Sequence, residues 1–274
     1  MRKKTRTKFP RLQWSGCSVV GRIRQNNEDA FLGLQFDSKE VFRLGKFGQA
    51  LLDQMDFAFA VCDGMGGAKA GEYASNLAVE KITKLLPDAF RKFLCDPEKS
   101  AAILKELYAQ VHRALIYLGG SYEEIEGMQT TMSLGWFTPG KLFFGHIGDS
   151  RIYHLPAKTG GIRQLTEDDT HVGWLFRNGK INERELRTHP RRNVLQKALG
   201  GTNQFVTPQT GSVDCARGDI FLLCSDGLID GLYDHELVEF LRAEPSEVVA
   251  EKMVAAAVKN SGRDNTTALV IRVA

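Results

Sequence analysis

Three apolar runs in this chain each end at an aspartate that is flanked by small residues. The runs, each with its aspartate, are residues 57–62 with Asp63, residues 143–147 with Asp149, and residues 220–224 with Asp226. Short apolar runs with such ends are typical of buried strands. Gly64, Gly66 and Gly67 follow Asp63, and their backbone freedom indicates a shaped loop at a site rather than packing. If the three loops meet, their carboxylates repel one another unless a cation lies among them.

Helical spacing of apolar residues predicts two long helices after the first aspartate. The first is expected over residues 74–85, and Pro87 should end it. The second is expected over about residues 97–118. Two shorter amphipathic helices are predicted near residues 234–241 and 246–258.

An alternation with a period of two predicts a hairpin formed by residues 131–136 and 142–147. Further strands are expected at residues 15–20, 150–155, 220–224 and 268–273. Residues 37–56 show no clean period, whereas the long irregular segment 157–204 is typical of a functional flap. The order of elements predicts an α+β fold in which a mostly antiparallel sandwich is flanked by helices.

Composition adds a charge asymmetry to this picture. The chain has 274 residues, 43% of them hydrophobic, which suits one domain with a large core. Eight basic residues precede the first acid, Glu28, and taking them from the 36 basic residues leaves 28 against 33 acids. We interpret residues 1–13 as a flexible basic tail and residues 14–274 as the domain. The tail lacks interleaved aromatic residues, so no nucleic-acid partner is expected.

Cysteines and hydropathy place the chain in a reducing, aqueous compartment. Five cysteines are an odd number, and none forms a C-x-x-C pair, which favours buried thiols in a cytoplasmic protein. No apolar run is long enough to span a membrane, and the N-terminus lacks the apolar segment of a signal peptide.

The aspartates predict a site for hard metal ions. Asp264 directly precedes the predicted last strand, and in antiparallel neighbours the start of one strand lies beside the end of the next. Four aspartates would then face one pocket. Oxygen ligands without a histidine or thiol cluster favour Mg²⁺ or Mn²⁺. Two such ions can share a bridging water and present it as hydroxide to a phosphorus centre, and Arg24, four residues before Glu28, is the candidate cation for the phosphate oxygens.

Five motifs, in this order, resemble the metal-dependent protein phosphatases of the PPM or PP2C type, bacterial branch. They are Arg24-x-x-Asn27-Glu28-Asp29, Asp63-Gly64-Met65-Gly66-Gly67 with Gly71-Glu72, Gly148-Asp149-Ser150-Arg151, Ser225-Asp226-Gly227 and Asp264-Asn265-Thr266-Thr267. The resemblance implies a four-layer α/β/β/α sandwich and hydrolysis of phosphoserine and phosphothreonine in proteins, opposing a bacterial Ser/Thr kinase. We expect the protein to be a monomer.

The resemblance further implies a role for each matched residue. Asp63 would bridge two Mn²⁺ or Mg²⁺ ions, with Glu28 and the Gly64 carbonyl on one ion and Asp226 and Asp264 on the other. Arg24 would bind the substrate phosphate. Asp149 would contribute to a third metal site, and a flap would cover about residues 168–193.

Two departures from the family pattern leave alternatives open. Met65 stands where some relatives have a histidine proposed to protonate the leaving oxygen, so the general acid is unassigned and a metal-bound water is one substitute. Residues 165–170 lack the histidine that bacterial relatives commonly have there. The alternatives to a protein phosphatase are a pseudophosphatase that binds partners and a phosphohydrolase of a small molecule or nucleotide. Retention of the acidic set argues against the first.

Overall fold

Two β-sheets packed face to face form the centre of the molecule. The computed structural model describes residues 10–53, 55–66, 69–158, 160–201 and 206–274. The strands are β1 (Arg11–Val19), β2 (Asp29–Phe36), β3 (Val41–Arg43), β4 (Phe47–Leu51), β5 (Asp56–Met65), β6 (Gln129–Thr130), β7 (Met132–Thr138), β8 (Lys141–Ile147), β9 (Arg151–Leu155), β10 (Arg163–Gln164), β11 (Leu199–Gly200), β12 (Gln209–Asp214), β13 (Ile220–Cys224) and β14 (Thr266–Val273).

The strands pair into one six-stranded and one eight-stranded sheet. The order of the first is β10-β9-β13-β14-β1-β4; that of the second is β11-β6-β5-β7-β8-β12, with β2 beside β5 and β3 beside β2. Every strand pairing among the described residues is antiparallel. The predicted sheet type is therefore confirmed.

Helices cover the outer face of each sheet. The α-helices are α1 (Ala70–Cys95), α2 (Ser100–Gly119), α3 (His171–Arg177), α4 (Glu183–Thr188), α5 (Asp226–Gly231), α6 (Asp234–Ala243) and α7 (Val249–Asn260), of which α3 and α4 lie in the predicted flap segment and not on a sheet face. Helices α1 and α2 share a core with the eight-stranded sheet, and α5, α6 and α7 share one with the six-stranded sheet. This arrangement confirms the predicted four-layer α/β/β/α sandwich. No described helix combines the length and apolar character of a membrane span.

Aromatic side chains fill the space between the two sheets. Trp14 of β1 lies 6.0 Å from Phe59 of β5, and Phe137 of β7 lies 5.3 Å from Phe221 of β13, measured between ring centroids. Each pair joins strands of different sheets, and such pairs contribute about 0.5–1.5 kcal/mol beyond their buried area. The core thus fixes one sheet against the other and aligns the strand ends that carry the acids.

Helix α1 continues through Pro87, so the prediction that it ends there is wrong. The turn beyond the proline is held by tertiary packing: Phe90 lies 5.9 Å from Phe36, and Phe93 lies 5.1 Å from Trp136, between ring centroids. A proline inside a helix costs about 3 kcal/mol. Burial of two aromatic side chains is of a size to offset that cost.

Strand β1 begins at Arg11, before the predicted end of the tail at residue 13. Leu12 is fully buried, and it pairs with Ala50 of β4 and Val273 of β14. Strand β4 belongs to the irregular segment 37–56, which supplies one added strand to each sheet. The boundary at residue 13 is therefore corrected to about residue 10, and residues 1–9 lie outside the described part of the chain.

Candidate metal and phosphate site

The structure brings every predicted site residue to the wall of one cavity. Asp29 opens β2 opposite Asp63 in β5, and the start of β14 lies beside the end of β13. The cavity has a volume of about 430 Å³. Its walls include Arg24, Glu28, Asp63, Gly64, Asp149, Asp226 and Asp264.

Asp63 lies inside β5 rather than after its end, because β6 pairs with Gly64 and Met65 and extends the strand. Its backbone nitrogen donates to Thr131 Oγ1 at 2.9 Å, and its carbonyl accepts from Thr130 Oγ1 at 2.9 Å. Burial raises the pKa of the Asp63 carboxyl well above its ordinary value, and neighbouring aspartates raise it further. Fixed backbone and crowded charge are the conditions of a cation site.

Gly64 allows the end of β5 to approach the start of α1. A Cβ at Gly64 would lie 1.9 Å from the carbonyl oxygen of Gly71 and 2.8 Å from that of Glu28. A Cβ at Gly71 would lie 2.9 Å from Glu28 Cδ. No other residue fits at Gly64 without a backbone shift, so glycine at this position keeps Glu28 beside Asp63.

Asp226 is the first residue of the short helix α5, which the sequence pattern did not predict. Gly227 is needed there, since a Cβ would lie 2.0 Å from the Asn265 carbonyl oxygen. Burial is the main cause that raises the pKa of Asp226 well above its ordinary value, and the negative charges of Asp149 and Asp264 raise it further. Within the described residues, Asp226 Oδ1 is buried and accepts no hydrogen bond, and a buried anionic oxygen needs compensation.

Arg24 and Asp264 form an ion pair across the cavity wall. Arg24 Nη2 donates to Asp264 Oδ2 at 2.7 Å, and the backbone nitrogen of Asn265 donates to Asp264 Oδ1 at 2.9 Å. The hydrogen bond that Arg24 donates to Asp264 is the main cause of a raised Arg24 pKa. The arginine side chain remains 49% exposed, so its guanidinium is open to a ligand in the cavity.

Asn265 holds the loop that carries Arg24 and Glu28. Its side-chain nitrogen donates to the carbonyl oxygens of Val20 at 3.0 Å and Asn26 at 2.9 Å, and its side-chain oxygen accepts from the backbone nitrogen of Glu28 at 2.8 Å. Asn265 itself is buried. The sequence analysis quoted this residue in a motif but gave it no role, because its partners lie more than 200 positions away.

Asp29 is a second residue beside the site whose contacts the sequence did not indicate. Its Oδ2 accepts hydrogen bonds from Ser225 Oγ and Thr267 Oγ1, each at 2.6 Å, whereas Oδ1 is buried without a partner in the described residues. Burial raises the pKa of Asp29 to about 6. Asp29 joins the loop before α5 to β14 and adds negative charge behind Asp63.

Asp149 lies at the junction between this cavity and the predicted flap. Burial, followed by the charge of Asp168, raises the pKa of Asp149 to about 7. Ser150 Oγ shares a 2.7 Å hydrogen bond with Thr131 Oγ1, which also receives the Asp63 backbone. The positions of Asp63 and Asp149 are therefore coupled through one threonine.

The predicted flap segment contains α3 and α4 and is closed at its base by Asp169. The Asp169 carboxylate accepts from the backbone nitrogen of Gly148 at 3.2 Å and from Lys197 Nζ at 2.8 Å. Near the far end, Arg192 pairs with Asp230 of α5 at 2.6 Å. The stretch around residue 168 has no histidine in this chain, and its Asp169 binds the start of the flap segment to Gly148 and Lys197.

The donor set suits a hard cation, although the acids are not already arranged around one point. Among the described residues, no three His, Cys, Asp or Glu side chains converge as the ligands of one metal ion would. Asp264 is turned to Arg24. Among the residues that the structure describes, the buried Oδ1 of Asp226 has no hydrogen-bond partner, and the Asp63 carboxyl is crowded by neighbouring aspartates. Carboxylate and carbonyl oxygens of this kind fit Mg²⁺ or Mn²⁺.

Comparison with known proteins gives a consistent family match. The family described as Protein phosphatase 2C matches residues 46–260. The chain is 32% identical over 262 residues to the serine/threonine protein phosphatase PstP of Mycobacterium tuberculosis. The matched region covers 94% of this chain and 44% of that protein. It is 33% identical over 254 residues to the serine/threonine phosphatase stp of Listeria welshimeri, with 92% of each chain covered.

Solved structures agree with the sequence relatives. The fold matches a serine/threonine phosphatase of S. agalactiae with a TM-score of 0.81 at 25% identity, covering 96% of this chain and all of that one. It matches the catalytic domain of PstP in complex with two manganese ions with a TM-score of 0.75 at 29% identity, covering 96% and 99%. The chain spans less than half the length of the full mycobacterial relative.

Proposed function

This chain belongs to the protein phosphatase 2C family, and on that premise we propose that it hydrolyses phosphoserine and phosphothreonine in proteins with the help of two divalent ions. The observation that carries the proposal is the cavity in which Asp63 and Asp226 are crowded by like charges and the buried Asp226 Oδ1 finds no donor among the described residues. A catalytic cation pair is the compensation that such an arrangement requires.

The proposed metal ligands are the residues that line the cavity. Asp63 would help to hold both ions, Glu28 and the Gly64 carbonyl would hold one of them, and Asp226 with Asp264 would hold the other. Asp149 serves a third position. When bound, Mn²⁺ or Mg²⁺ would supply an activated water as the nucleophile, while the protein holds the carboxylates on a fixed backbone.

Arg24 is proposed to bind the substrate phosphate. A guanidinium provides two parallel donors to phosphate oxygens, and Arg24 is half exposed on the cavity wall. Its present partner, Asp264, is also a proposed metal ligand. A carboxylate that turns toward a cation releases the guanidinium, so phosphate binding by Arg24 would be favoured once the metals are bound.

The proton for the leaving oxygen does not come from an imidazole in this proposal. Of the described residues that line the cavity, none is a histidine, and Met65 stands on the wall instead. We assign this proton transfer to water held in the cavity. The proposal further includes a cytoplasmic location, a monomeric state and an opposing bacterial Ser/Thr kinase.

The test is metal-dependent turnover by the purified chain. We expect hydrolysis of p-nitrophenyl phosphate and of phosphothreonine peptides with Mn²⁺, and loss of both with chelator or in Asp226→Asn. Wild-type turnover that survives exhaustive chelation would refute the mechanism. Absence of turnover with intact Mn²⁺ binding would identify a pseudophosphatase, and faster hydrolysis of nucleotides than of phosphopeptides would identify a small-molecule phosphohydrolase.

A further inference from the structure

A second cavity lies beside the metal and phosphate site, between the flap helices and α5. Its volume is about 410 Å³, and it shares Asp149, Asn193 and Asp226 with the acidic cavity. Volumes of about 300–1,000 Å³ are typical of ligand pockets. Since the two cavities share these residues, a chain that extends from a phosphate in the first can enter the second.

One wall of this second cavity is apolar. Phe176 of α3, Leu186 of α4 and Ile229 of α5 line it. Phe176 is 41% exposed, which is unusual for a phenylalanine that has a core available. These side chains provide a surface along which the aliphatic part of a long side chain can pack.

The cations of the second cavity are all engaged by neighbouring acids. Arg151, Arg177 and Arg192 are the basic residues among its described lining. Their partners are Asp168 at 2.7 Å, Glu167 at 3.2 Å and Asp230 at 2.6 Å respectively. An incoming acidic side chain would have to break one of these ion pairs to find a cation, whereas a basic side chain would leave all three intact.

An exposed carboxylate completes the lining. Asp234 is the first residue of α6 and faces the same cavity. Of the ion pairs among the described residues, none involves Asp234. An ammonium or guanidinium at the mouth of the cavity would therefore gain an opposite charge without competing with an existing partner.

We infer that this cavity receives a side chain flanking the phosphorylated residue of a protein substrate, and that it favours lysine or arginine there; this inference rests on the proposed phosphatase function. The apolar wall accommodates the aliphatic stem, Asp234 attracts the charged head, and the paired arginines offer nothing to an acidic flank. The cavity between the flap and α5 thus acts as a specificity subsite.

The experiment compares phosphothreonine peptides that differ at one flanking position. Each of the three positions on either side of the phosphothreonine is occupied in turn by Lys, Ala or Glu, and kcat/KM is measured with Mn²⁺. We expect one position at which Lys exceeds Glu by about three- to tenfold, the size of a single partly exposed charge interaction. Asp234→Lys should remove or reverse that ratio.

A charge change of the same size on the same helix serves as the matched control. Glu239 is an exposed residue of α6 that does not line the cavity, so Glu239→Lys should keep the wild-type ratio. Melting temperatures establish that both variants are folded, and Asp234→Asn replaces Asp234→Lys if the latter is not. Phe176→Ala should raise the KM of the Lys peptide more than that of the Ala peptide.

The outcomes separate the subsite from the phosphatase function on which it rests. Equal kcat/KM for Lys and Glu at all six positions, with p-nitrophenyl phosphate hydrolysed by the wild type, overturns the subsite and leaves the function standing. An equal change of the ratio in Glu239→Lys also overturns it, because a general surface potential would then be the cause. Failure to hydrolyse any phosphorylated substrate with Mn²⁺ overturns the phosphatase function itself.

Discussion

Strand β5 carries an acid near each end, and the two acids have different surroundings. Asp56, at the start, accepts a 2.7 Å hydrogen bond from Trp136 Nε1, and burial raises its pKa to about 6. Asp63, near the end, is surrounded by other aspartates that raise its pKa in addition to burial. A neutral donor makes the first carboxylate part of the core. The second requires a cation, which makes it part of a site.

Replacing the acid at the functional end should have the largest effect. In Asp63→Asn we expect activity to fall by at least about 10³-fold, while the metal-free protein becomes more stable because one repelling charge is gone. Mn²⁺, which should raise the melting temperature of the wild type by mass action, should no longer do so. Thermal unfolding with and without Mn²⁺ measures both effects.

Asp56→Asn provides the control for that experiment, since it removes a charge from the other end of the same strand. It should retain the Mn²⁺-induced rise in melting temperature and the activity of the wild type. A loss of the Mn²⁺ response in Asp56→Asn, or its persistence in Asp63→Asn, would contradict the distinction between the two ends.

Asn265 should be the next most sensitive position at the functional end. Asn265→Ala removes three hydrogen bonds to the loop that carries Arg24 and Glu28, and the unpaired backbone groups should lower stability by about 2–4 kcal/mol. We expect the KM of a phosphopeptide to rise as well, because Arg24 loses its fixed position. Denaturant unfolding and steady-state kinetics separate the two effects.

A matched control is Asn260→Ala, which removes one hydrogen bond from the side chain to the Gly231 carbonyl at 2.9 Å. Asn260 does not line the acidic cavity. Asn260→Ala should lower the free energy of unfolding without raising the KM of the phosphopeptide. A similar KM increase in Asn260→Ala and Asn265→Ala would show that a general loss of stability is responsible.

Arg24 tests how the functional end recognises phosphate. Arg24→Lys keeps the charge but loses the planar pair of donors, so we expect kcat/KM to fall about 10- to 100-fold, the equivalent of about 1.4–2.7 kcal/mol. Arg24→Ala should bind Mn²⁺ more tightly than the wild type in titration calorimetry, because Asp264 loses its competing partner. Weaker Mn²⁺ binding in Arg24→Ala would instead assign the arginine to orienting Asp264.

The difference between these positions also explains what the sequence could predict. Asp63 and Asp226 were recognisable because an apolar run and a glycine are local signals. The clamp made by Asn265 was not, since it depends on contacts between distant segments. The prediction that α1 ends at Pro87 was wrong for the same reason, because the local effect of the proline is outweighed by the packing of Phe90 and Phe93 against the sheet. The roles of the site residues remain predictions.

The structural end of β5 should have the smallest effect on activity, and its effect should be seen in the pH dependence of stability. The pKa of Asp56 is about 6 in the folded protein, above its ordinary value. Below about pH 4 the carboxyl is protonated in both states and contributes no difference. Between about pH 4 and pH 6 the carboxyl ionises in the unfolded chain but not in the folded protein, so Asp56 lowers the free energy of unfolding as the pH rises. Above about pH 6 it is ionised in both states, and the loss of stability stays constant.

Asp56→Asn removes this titration and keeps an acceptor for Trp136 Nε1. We therefore expect the variant to be more stable than the wild type by up to about 3 kcal/mol at pH 8, with the difference shrinking toward pH 4. Urea unfolding of both proteins at pH 4, 6 and 8 measures it. A difference that is constant across this range would mean that the pKa of Asp56 is the same in the folded and the unfolded protein. A variant less stable than the wild type at pH 8 would mean that the hydrogen bond from Trp136 stabilises the charged carboxylate by more than burial destabilises it.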